Sequence, residues 1–210
     1  MSRSAAARLF RSPLLLLVVP LVIAGFQITR AVVKELPPLP QVYETIPEFE
    51  LVDQRGVAFG SDQLRGRVWI ANFIFTRCPT VCPLFTERMA KLQDRIRNAA
   101  PAIHLVSISV DPEWDNPERL AAYAGKHRIS ERMWTFVTGD YETIRRVVRD
   151  SMKMSMEHEG MIGDVPDIIH GTHFVLVDQK LRVRGFYDSE DQDRIDQMMR
   201  DVHTLLNRRD

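Results

Sequence analysis

The chain has 210 residues, of which 45% are hydrophobic and 27% are charged, and its 28 basic residues balance its 28 acidic residues. This size suits one globular domain plus an additional segment, and such a domain can form a core without disulfide crosslinks. The balanced charge provides no net field that would attract nucleic acid or an acidic membrane surface, so we predict no nucleic-acid partner.

The first predicted element is an uncharged apolar stretch, Pro13–Ile28, with arginines before it. As a helix, its roughly sixteen residues would extend about 24 Å, a little less than the ~30 Å hydrocarbon core of a bilayer. No small-x-small cleavage site follows it, and Phe26 stands where a lipobox would carry a cysteine. We therefore predict a cytoplasmic N-terminus and an uncleaved single-pass anchor within residues 1–34, rather than a removed signal peptide.

The arginines before the apolar stretch predict that the remainder of the chain lies outside the cytoplasm. We expect an inner-membrane protein whose globular part is in the periplasm. The alternative is the mitochondrial inner membrane, with the globular part facing the intermembrane space. Residues 35–47 follow with four prolines in thirteen positions, which predicts a stiff spacer between the membrane and a domain at 48–210.

The domain alternates strand and helix patterns. In chain order we predict a hairpin (FELV and VAF), a buried strand (VWIANFIF), a helix (MAKLQDRIRNAA), a strand (IHLVSISV), a helix with Asn116 as N-cap (NPERLAAYAGKH), a strand (MWTFVT), a helix (DYETIRRVVRDSM), a hairpin (HFVLVD and LRVRGFY) and a closing helix (DQDRIDQMMRDVHTLLNRR). This order predicts an α/β sandwich of the thioredoxin type.

Both cysteines of the chain follow the first buried strand, in the sequence RCPTVCP. A proline follows each cysteine, which places Cys78 and Cys82 in the loop and first turn that enter the next helix. We expect the free N–H groups of the helix start and the guanidinium of Arg77 to favour thiolates. Two thiolates one helical turn apart suit copper, above all Cu(I), and could also close into a disulfide. Two inert buried thiols are the alternative.

A third metal ligand would come from elsewhere in the chain, and histidine is the commonest choice. His104 and His173 lie in predicted strands, His203 in the last helix and His127 at a helix end, where packing, solvent or capping explains them. His170 lies in an irregular stretch just before the strand that we expect beside the cysteine strand. From the residues alone, it is either a metal ligand or an ordinary loop histidine.

The segment SMKMSMEHEGM concentrates Met152, Met154, Met156, His158 and Met161. Because thioethers favour Cu(I), this segment could be an auxiliary copper site or a copper relay. Alternating methionines are equally typical of one buried face of an extended segment.

Three sequences, NFIFTRCPTVCP, SVDPEWDNPERLAAY and IIHGTHFVLVD, together with DQLRGRVW and the apolar N-terminal stretch, resemble the Sco/SenC family of copper-binding, thioredoxin-fold proteins that assemble cytochrome c oxidase. The resemblance extends over residues 47–208. By position, it implies that Cys78, Cys82 and His170 are the copper ligands. Asp111 matches an acidic position of the family, and a simple turn residue is the alternative interpretation.

The resemblance implies a copper chaperone rather than a classical enzyme. Its recipient would be the dinuclear copper site of cytochrome c oxidase subunit II or a similar copper enzyme, and its other partners would be an upstream copper donor and a thiol reductant. The alternative is a thiol-disulfide reductase that uses Cys78 and Cys82 as catalytic sulfurs to keep the recipient's cysteines reduced; a peroxide-scavenging enzyme is a third possibility. A thioredoxin-type exchanger would carry a proline directly before the strand that faces its cysteines. Here HGT stands at that place and Pro166 comes too early, which favours metal binding.

Overall fold

The computed structural model describes residues 18–23, 37–79, 81–99, 101–162, 165–169 and 172–208, and for 157–162 and 165–169 the description covers the backbone. The chain divides into two compact units, Met1–Pro38 and Leu39–Asp210. In the first unit, residues 18–23 are helical. Within the described residues, no helix is long and apolar enough to cross a membrane. Most of the predicted anchor and the whole of His170 lie outside the described residues.

The described part of the second unit contains ten strands. They are β1 Glu44–Thr45, β2 Glu50–Asp53, β3 Ala58–Gly60, β4 Val68–Ile74, β5 Ile103–Ser109, β6 Trp134–Thr138, β7 Glu157–Ile162, β8 Val165–Ile169, β9 His173–Val177 and β10 Arg182–Asp188. Eight of them form one sheet in the spatial order β1-β10-β9-β4-β5-β6-β2-β3, and β7 and β8 form a separate pair. Strands β4, β5 and β6 are parallel, whereas β9 is antiparallel to both β4 and β10.

Helices connect the strands. They are α1 Ser61–Leu64, α2 Val81–Ile96, α3 Pro117–Ala124, α4 Tyr141–Arg145 and α5 Gln192–Asn207; α2 continues as a 3-10 turn, Arg97–Ala99, and α4 as a π-helix, Arg146–Ser151. Local sequence explains where α3 begins, because the side chain of Asn116 accepts a hydrogen bond from Arg119 N and Pro117 occupies the first turn. The predicted elements all occur in the predicted order, together with β1, α1, β7 and β8, which were not predicted, and the thioredoxin-like α/β fold is confirmed.

The centre of the sheet is the centre of the core. Every residue of β4 and β5 is buried, which explains why their sequences are continuously apolar or small rather than alternating. Because β4 and β5 run in register, with Ile74 beside Ser109, their carboxyl ends lie together and β6 ends beside them. We call this end of the sheet the cysteine edge. It comprises residues 75–79, 81–82, 110–116 and 139–140.

Strand β1 was not predicted from the sequence. Tyr43 N donates to Val183 O and Ile46 N donates to Leu181 O, so part of the predicted spacer is an edge strand of the sheet. An edge strand requires hydrogen bonds on one side only, which is why nearby prolines are compatible with it. The compact unit accordingly begins at Leu39.

The pair β7–β8 was also unexpected. Its strands are antiparallel, with an irregular register between His158 and Gly160. Gly160 and Pro166 interrupt the strand pattern, so the sequence predicted an irregular segment where the backbone in fact forms a hairpin.

Candidate metal centre

The two cysteines lie where β4 passes into α2. Cys78 N donates to Phe75 O, closing a turn after the strand, and Cys82 lies in the first turn of α2. The backbone N–H of Cys82 points at the Sγ atom of Cys78 over 3.4 Å. The two cysteines are not joined in a disulfide, and both are buried at the cysteine edge. The prolines that follow the cysteines thus mark the loop and helix start, as predicted.

The two sulfurs differ in environment. Cys78 retains 9% of its surface exposed, whereas Cys82 retains none. A hydrogen bond to Cys78 and burial together raise the pKa of Cys82 far above its ordinary value. The expectation that the helix start would favour a thiolate at both positions is therefore wrong for Cys82. The helix N–H supports negative charge at the Cys78 sulfur instead, since that atom accepts it.

The guanidinium of Arg77 forms an ion pair with Asp111 and contacts Trp114. Its Nε donates to Asp111 Oδ2 over 2.7 Å, and its guanidinium carbon lies 4.8 Å from the ring centroid of Trp114. The Asp111 side chain is 5% exposed, so the ion pair is largely desolvated on the carboxylate side. Arg77 is thus paired with a carboxylate, and Asp111 is more than a turn residue because it holds the residue before Cys78.

Asp115 is a residue of this edge that sequence reasoning missed. Its buried carboxylate accepts hydrogen bonds from the backbone N–H and the hydroxyl of Thr76 and from the hydroxyl of Ser109, the last over 2.6 Å. Burial raises the pKa of Asp115, although the hydrogen bonds oppose that shift. In the sequence it resembles an acidic residue ahead of a helix cap, and no local pattern signals its burial.

A third ligand is not visible in the part of the chain that the structure describes, which contains no group of three or more His, Cys, Asp or Glu side chains placed to hold a metal. His104 lies near the amino end of β5, bonded to Thr135, and burial lowers its pKa to about 4. The ring of His127 lies 4.9 Å from that of Tyr123 at an angle of 45°, and His203 contacts Asn207 in α5. His104 and His203 have the structural roles predicted for them, whereas His127 packs on an aromatic ring instead of capping a helix. His170, outside the described residues, stays a prediction.

The methionine segment divides into two parts. Met152 and Met156 are buried in the hydrophobic core, and Met154 packs against it. The side chains of His158 and Met161 lie outside the described part of the chain. Core packing is therefore the structural role of Met152 and Met156.

The fold and the cysteine edge define a thioredoxin-like protein with a CxxxC pair at the end of its first parallel strand. The SCO1/SenC family model matches residues 38–207. The chain belongs to the SCO1/SenC family.

Individual proteins agree with this assignment. A SCO1 protein homolog from Bacillus subtilis is 33% identical over 165 residues, which are 78% of this chain and 83% of that protein. The crystal structure of a SCO1/SenC family lipoprotein from Bacillus anthracis superposes with a TM-score of 0.71 at 32% identity, covering 80% of this chain and 99% of the other.

Two further structures are similar. BsSco, a member of the Sco family of cytochrome c oxidase assembly proteins in which a disulfide switch was identified, has a TM-score of 0.66 at 31% identity and covers 79% of this chain and 95% of its own. ScoI of Bradyrhizobium japonicum with copper bound has a TM-score of 0.64 at 22% identity, covering 74% and 98%, and shows a shared fold.

Proposed function

We propose that this protein binds one copper ion through Cys78, Cys82 and His170 and delivers it to the dinuclear copper site of cytochrome c oxidase subunit II or of a similar copper enzyme. The observation that carries the proposal is the sulfur pair itself, which is not closed into a disulfide and in which Cys82 N points at Cys78 Sγ over 3.4 Å. Two adjacent soft sulfurs are a chelate for Cu(I). Membership of the SCO1/SenC family supports copper as the cargo.

The direction of β9 supports His170 as the third ligand. Strand β9 is antiparallel to β4, with Ala71 beside Val175, so β9 begins at the end of the sheet where β4 ends. His173 is the first residue of β9 and His170 precedes it by three positions. An imidazole added to two thiolates would complete a site that accommodates Cu(II) as well as Cu(I).

Delivery is a ligand exchange. The recipient's cysteines and histidines replace Cys78, Cys82 and His170 one after another, so copper changes partners without a change of oxidation state. The cysteines must be reduced before loading, which requires a thiol reductant, and an upstream donor supplies the copper. Cys78, the more exposed sulfur, is the one from which exchange would start.

A second candidate function is reduction of the recipient's cysteines. It is favoured by the difference between the sulfurs, because a partly accessible Cys78 and a buried Cys82 with a raised pKa suit an attacking and a resolving thiol. The disulfide switch of BsSco agrees with such chemistry in that relative. The sequence HGT, where a thioredoxin-type exchanger carries proline, favours copper.

We further propose that Pro13–Ile28 is an uncleaved anchor that holds the domain in the periplasm at the inner membrane. The support is its uninterrupted apolar sequence with arginines before it. Mass spectrometry of the mature protein tests this proposal. An intact N-terminus is expected, and a new N-terminus between Ala24 and Val33 would exclude the anchor.

Copper titration of the reduced full-length chain tests the copper proposal. Wild type should bind one copper ion per chain, and Cys78→Ser and Cys82→Ser should each lose it, because one thiolate is no chelate. Met154→Leu is the matched control, since it removes a sulfur elsewhere and should retain full binding. Stoichiometric copper in either serine variant would exclude the two-sulfur site.

A further inference from the structure

Asp115 is a buried carboxylate at the cysteine edge. Its side chain is 1% exposed, and each of its two oxygens has donors: Thr76 N at 3.0 and 3.2 Å, the hydroxyl of Thr76, and Ser109 Oγ at 2.6 Å. Thr76 is two residues before Cys78, and Ser109 is the last residue of β5. One carboxylate therefore holds the loop that carries the first sulfur against the end of the neighbouring strand.

The backbone of Asp115 also links neighbouring segments of the cysteine edge. Its N–H donates to Asp111 O over 2.8 Å, and its carbonyl accepts from Thr138 Oγ1 at the end of β6 over 2.7 Å. Ser109 Oγ, which donates to the carboxylate, also accepts from Asp111 N. The loop after β4 and the ends of β5 and β6 thus meet at a single buried residue.

We propose that Asp115 is a positioning residue for the copper site: its carboxylate fixes Thr76 and thereby the placement of the Cys78 sulfur relative to Cys82. The copper part of this inference rests on the proposed function, whereas the effect on the cysteine pair does not. Asp115 is not itself a ligand in this proposal, because its oxygens are occupied by Thr76 and Ser109.

Replacement by asparagine keeps the shape and removes the double acceptor. A carboxylate offers two acceptor oxygens, whereas an amide offers one oxygen and one NH₂ group. In Asp115→Asn, the NH₂ group takes the place of Oδ1, where it faces the N–H and hydroxyl of Thr76, or of Oδ2, where it faces the N–H of Thr76 and the hydroxyl of Ser109. Either orientation places two donors together at Thr76 N and weakens the hold on the loop, so the spacing of the sulfurs changes.

Asp115→Asn should change copper affinity strongly, although Asp115 does not contact the copper in this proposal. Groups that orient metal ligands from behind typically change metal affinity by about 10–100-fold when they are removed. We expect Asp115→Asn to weaken copper binding by a factor in that range and to shift the sulfur-to-Cu(II) absorption band.

The test compares Asp115→Asn with Asp178→Asn in the full-length chain. Asp178 is equally buried and accepts hydrogen bonds from Lys180 N and Arg182 N, but it lies in the β9–β10 turn at the opposite end of the sheet. It also pairs with Arg182 and Arg184, so Asp178→Asn reports what the loss of a buried carboxylate and its pairs, away from the sulfurs, does to stability. The measurements are copper affinity, the Cu(II) spectrum and the midpoint potential of the Cys78–Cys82 pair equilibrated with glutathione, in which glutathione disulfide takes the two electrons and two protons of the thiols.

Asp115→Asn should change all three measurements, and Asp178→Asn should leave them at the wild-type values while lowering the melting temperature. Asp115→Asn with wild-type affinity, spectrum and potential would overturn the proposal. If Asp115→Asn does not fold, Thr76→Val tests the proposal, because it removes only the hydroxyl that donates to Asp115. Thr76→Val should shift the midpoint potential by less than Asp115→Asn would. An unchanged potential would refute the positioning role of Asp115. If wild type takes up no copper, the proposed function fails, and the potential still tests Asp115.

Discussion

Arg77 Nε donates to Asp111 Oδ2 over 2.7 Å, so the residue directly before Cys78 is tied to the loop after β5. The two partners are 34 positions apart in the chain. Trp114, from the same loop as Asp111, lies between two guanidinium groups, with Arg119 at 3.8 Å and Arg77 at 4.8 Å from its ring centroid. The loop after β5 therefore holds the cysteine loop at two points, through Asp111 on Arg77 and Asp115 on Thr76.

Breaking this ion pair should destabilise the domain moderately. Asp111→Asn keeps the shape of the side chain and removes its charge, and a hydrogen bond to a charged group contributes about 1.5–3 kcal/mol. Because Asn retains one acceptor, we expect the free energy of unfolding to fall by about 1–2 kcal/mol in urea titrations. Glu113→Gln, an exposed acid of the same loop, is the control and should change it by less than about 0.5 kcal/mol. Equal midpoints for the two variants would contradict a stabilising pair.

The cysteines should differ in reactivity. In the reduced protein, Cys78 is partly exposed and accepts the Cys82 N–H, while Cys82 is fully buried with a raised pKa. We expect iodoacetamide at neutral pH to modify Cys78 first and to leave Cys82 largely unmodified, as measured by peptide mass spectrometry. In the urea-unfolded chain both should react at similar rates. Preferential modification of Cys82 in the folded protein would show that the assignment of the sulfurs is reversed.

The raised pKa of Cys82 makes stability depend on pH in the alkaline range. The folded state keeps a proton that the unfolded state releases near the ordinary pKa of 9.0. The stabilisation is therefore fully present below about pH 8 and is lost progressively as pH rises, with a slope approaching 1.4 kcal/mol per pH unit at most. We expect the free energy of unfolding of the reduced, metal-free protein to fall between pH 8 and 10, and the slope to be smaller in Cys82→Ser. Identical slopes would show that Cys82 does not titrate differently in the two states.

His170 separates the copper and reductase functions. Two thiolates satisfy Cu(I), so His170→Ala should retain most Cu(I) binding, whereas Cu(II) prefers nitrogen ligands and should bind more weakly. Titration with each copper state measures this difference, and His203→Ala, a helix histidine bonded to Asn207, is the control.

The same variant should lose oxidase assembly in cells while keeping its rate of disulfide reduction. Normal assembly together with wild-type Cu(II) binding in His170→Ala would remove the three-ligand site and place the reductase function first.

Variants of Met152 distinguish core packing from copper binding in the methionine segment. It is fully buried, so Met152→Ala should lower the free energy of unfolding by about 2–5 kcal/mol, whereas Met152→Leu should cost less than about 1.5 kcal/mol. Thermal unfolding of the two variants measures the difference. Met152→Leu should also load copper at the wild-type rate; slower loading of a stably folded variant would support a relay through this segment.

The order of elements followed from local sequence. The continuous apolar run of β4 predicted a buried strand, and Pro79 and Pro83 predicted that the sulfurs lie at a helix start, because proline is compatible only with such positions. Asn116 predicted the start of α3, since its side chain caps the helix three residues away. The CxxxC spacing then indicated the chemistry of the site, since both sulfurs come from one short segment.

Contacts between distant segments were decided by the tertiary structure alone. Asp115 and Thr76 are 39 positions apart, and they meet because the register of β4 and β5 brings the ends of those strands together. The same register gives Arg77 a carboxylate partner. The pKa of Cys82, which the helix start by itself would have lowered, is raised by the hydrogen bond to Cys78 and further by burial at that edge. Sequence periodicity and capping report interactions within a few residues, whereas hydrogen bonding and desolvation between loops depend on which strands lie side by side.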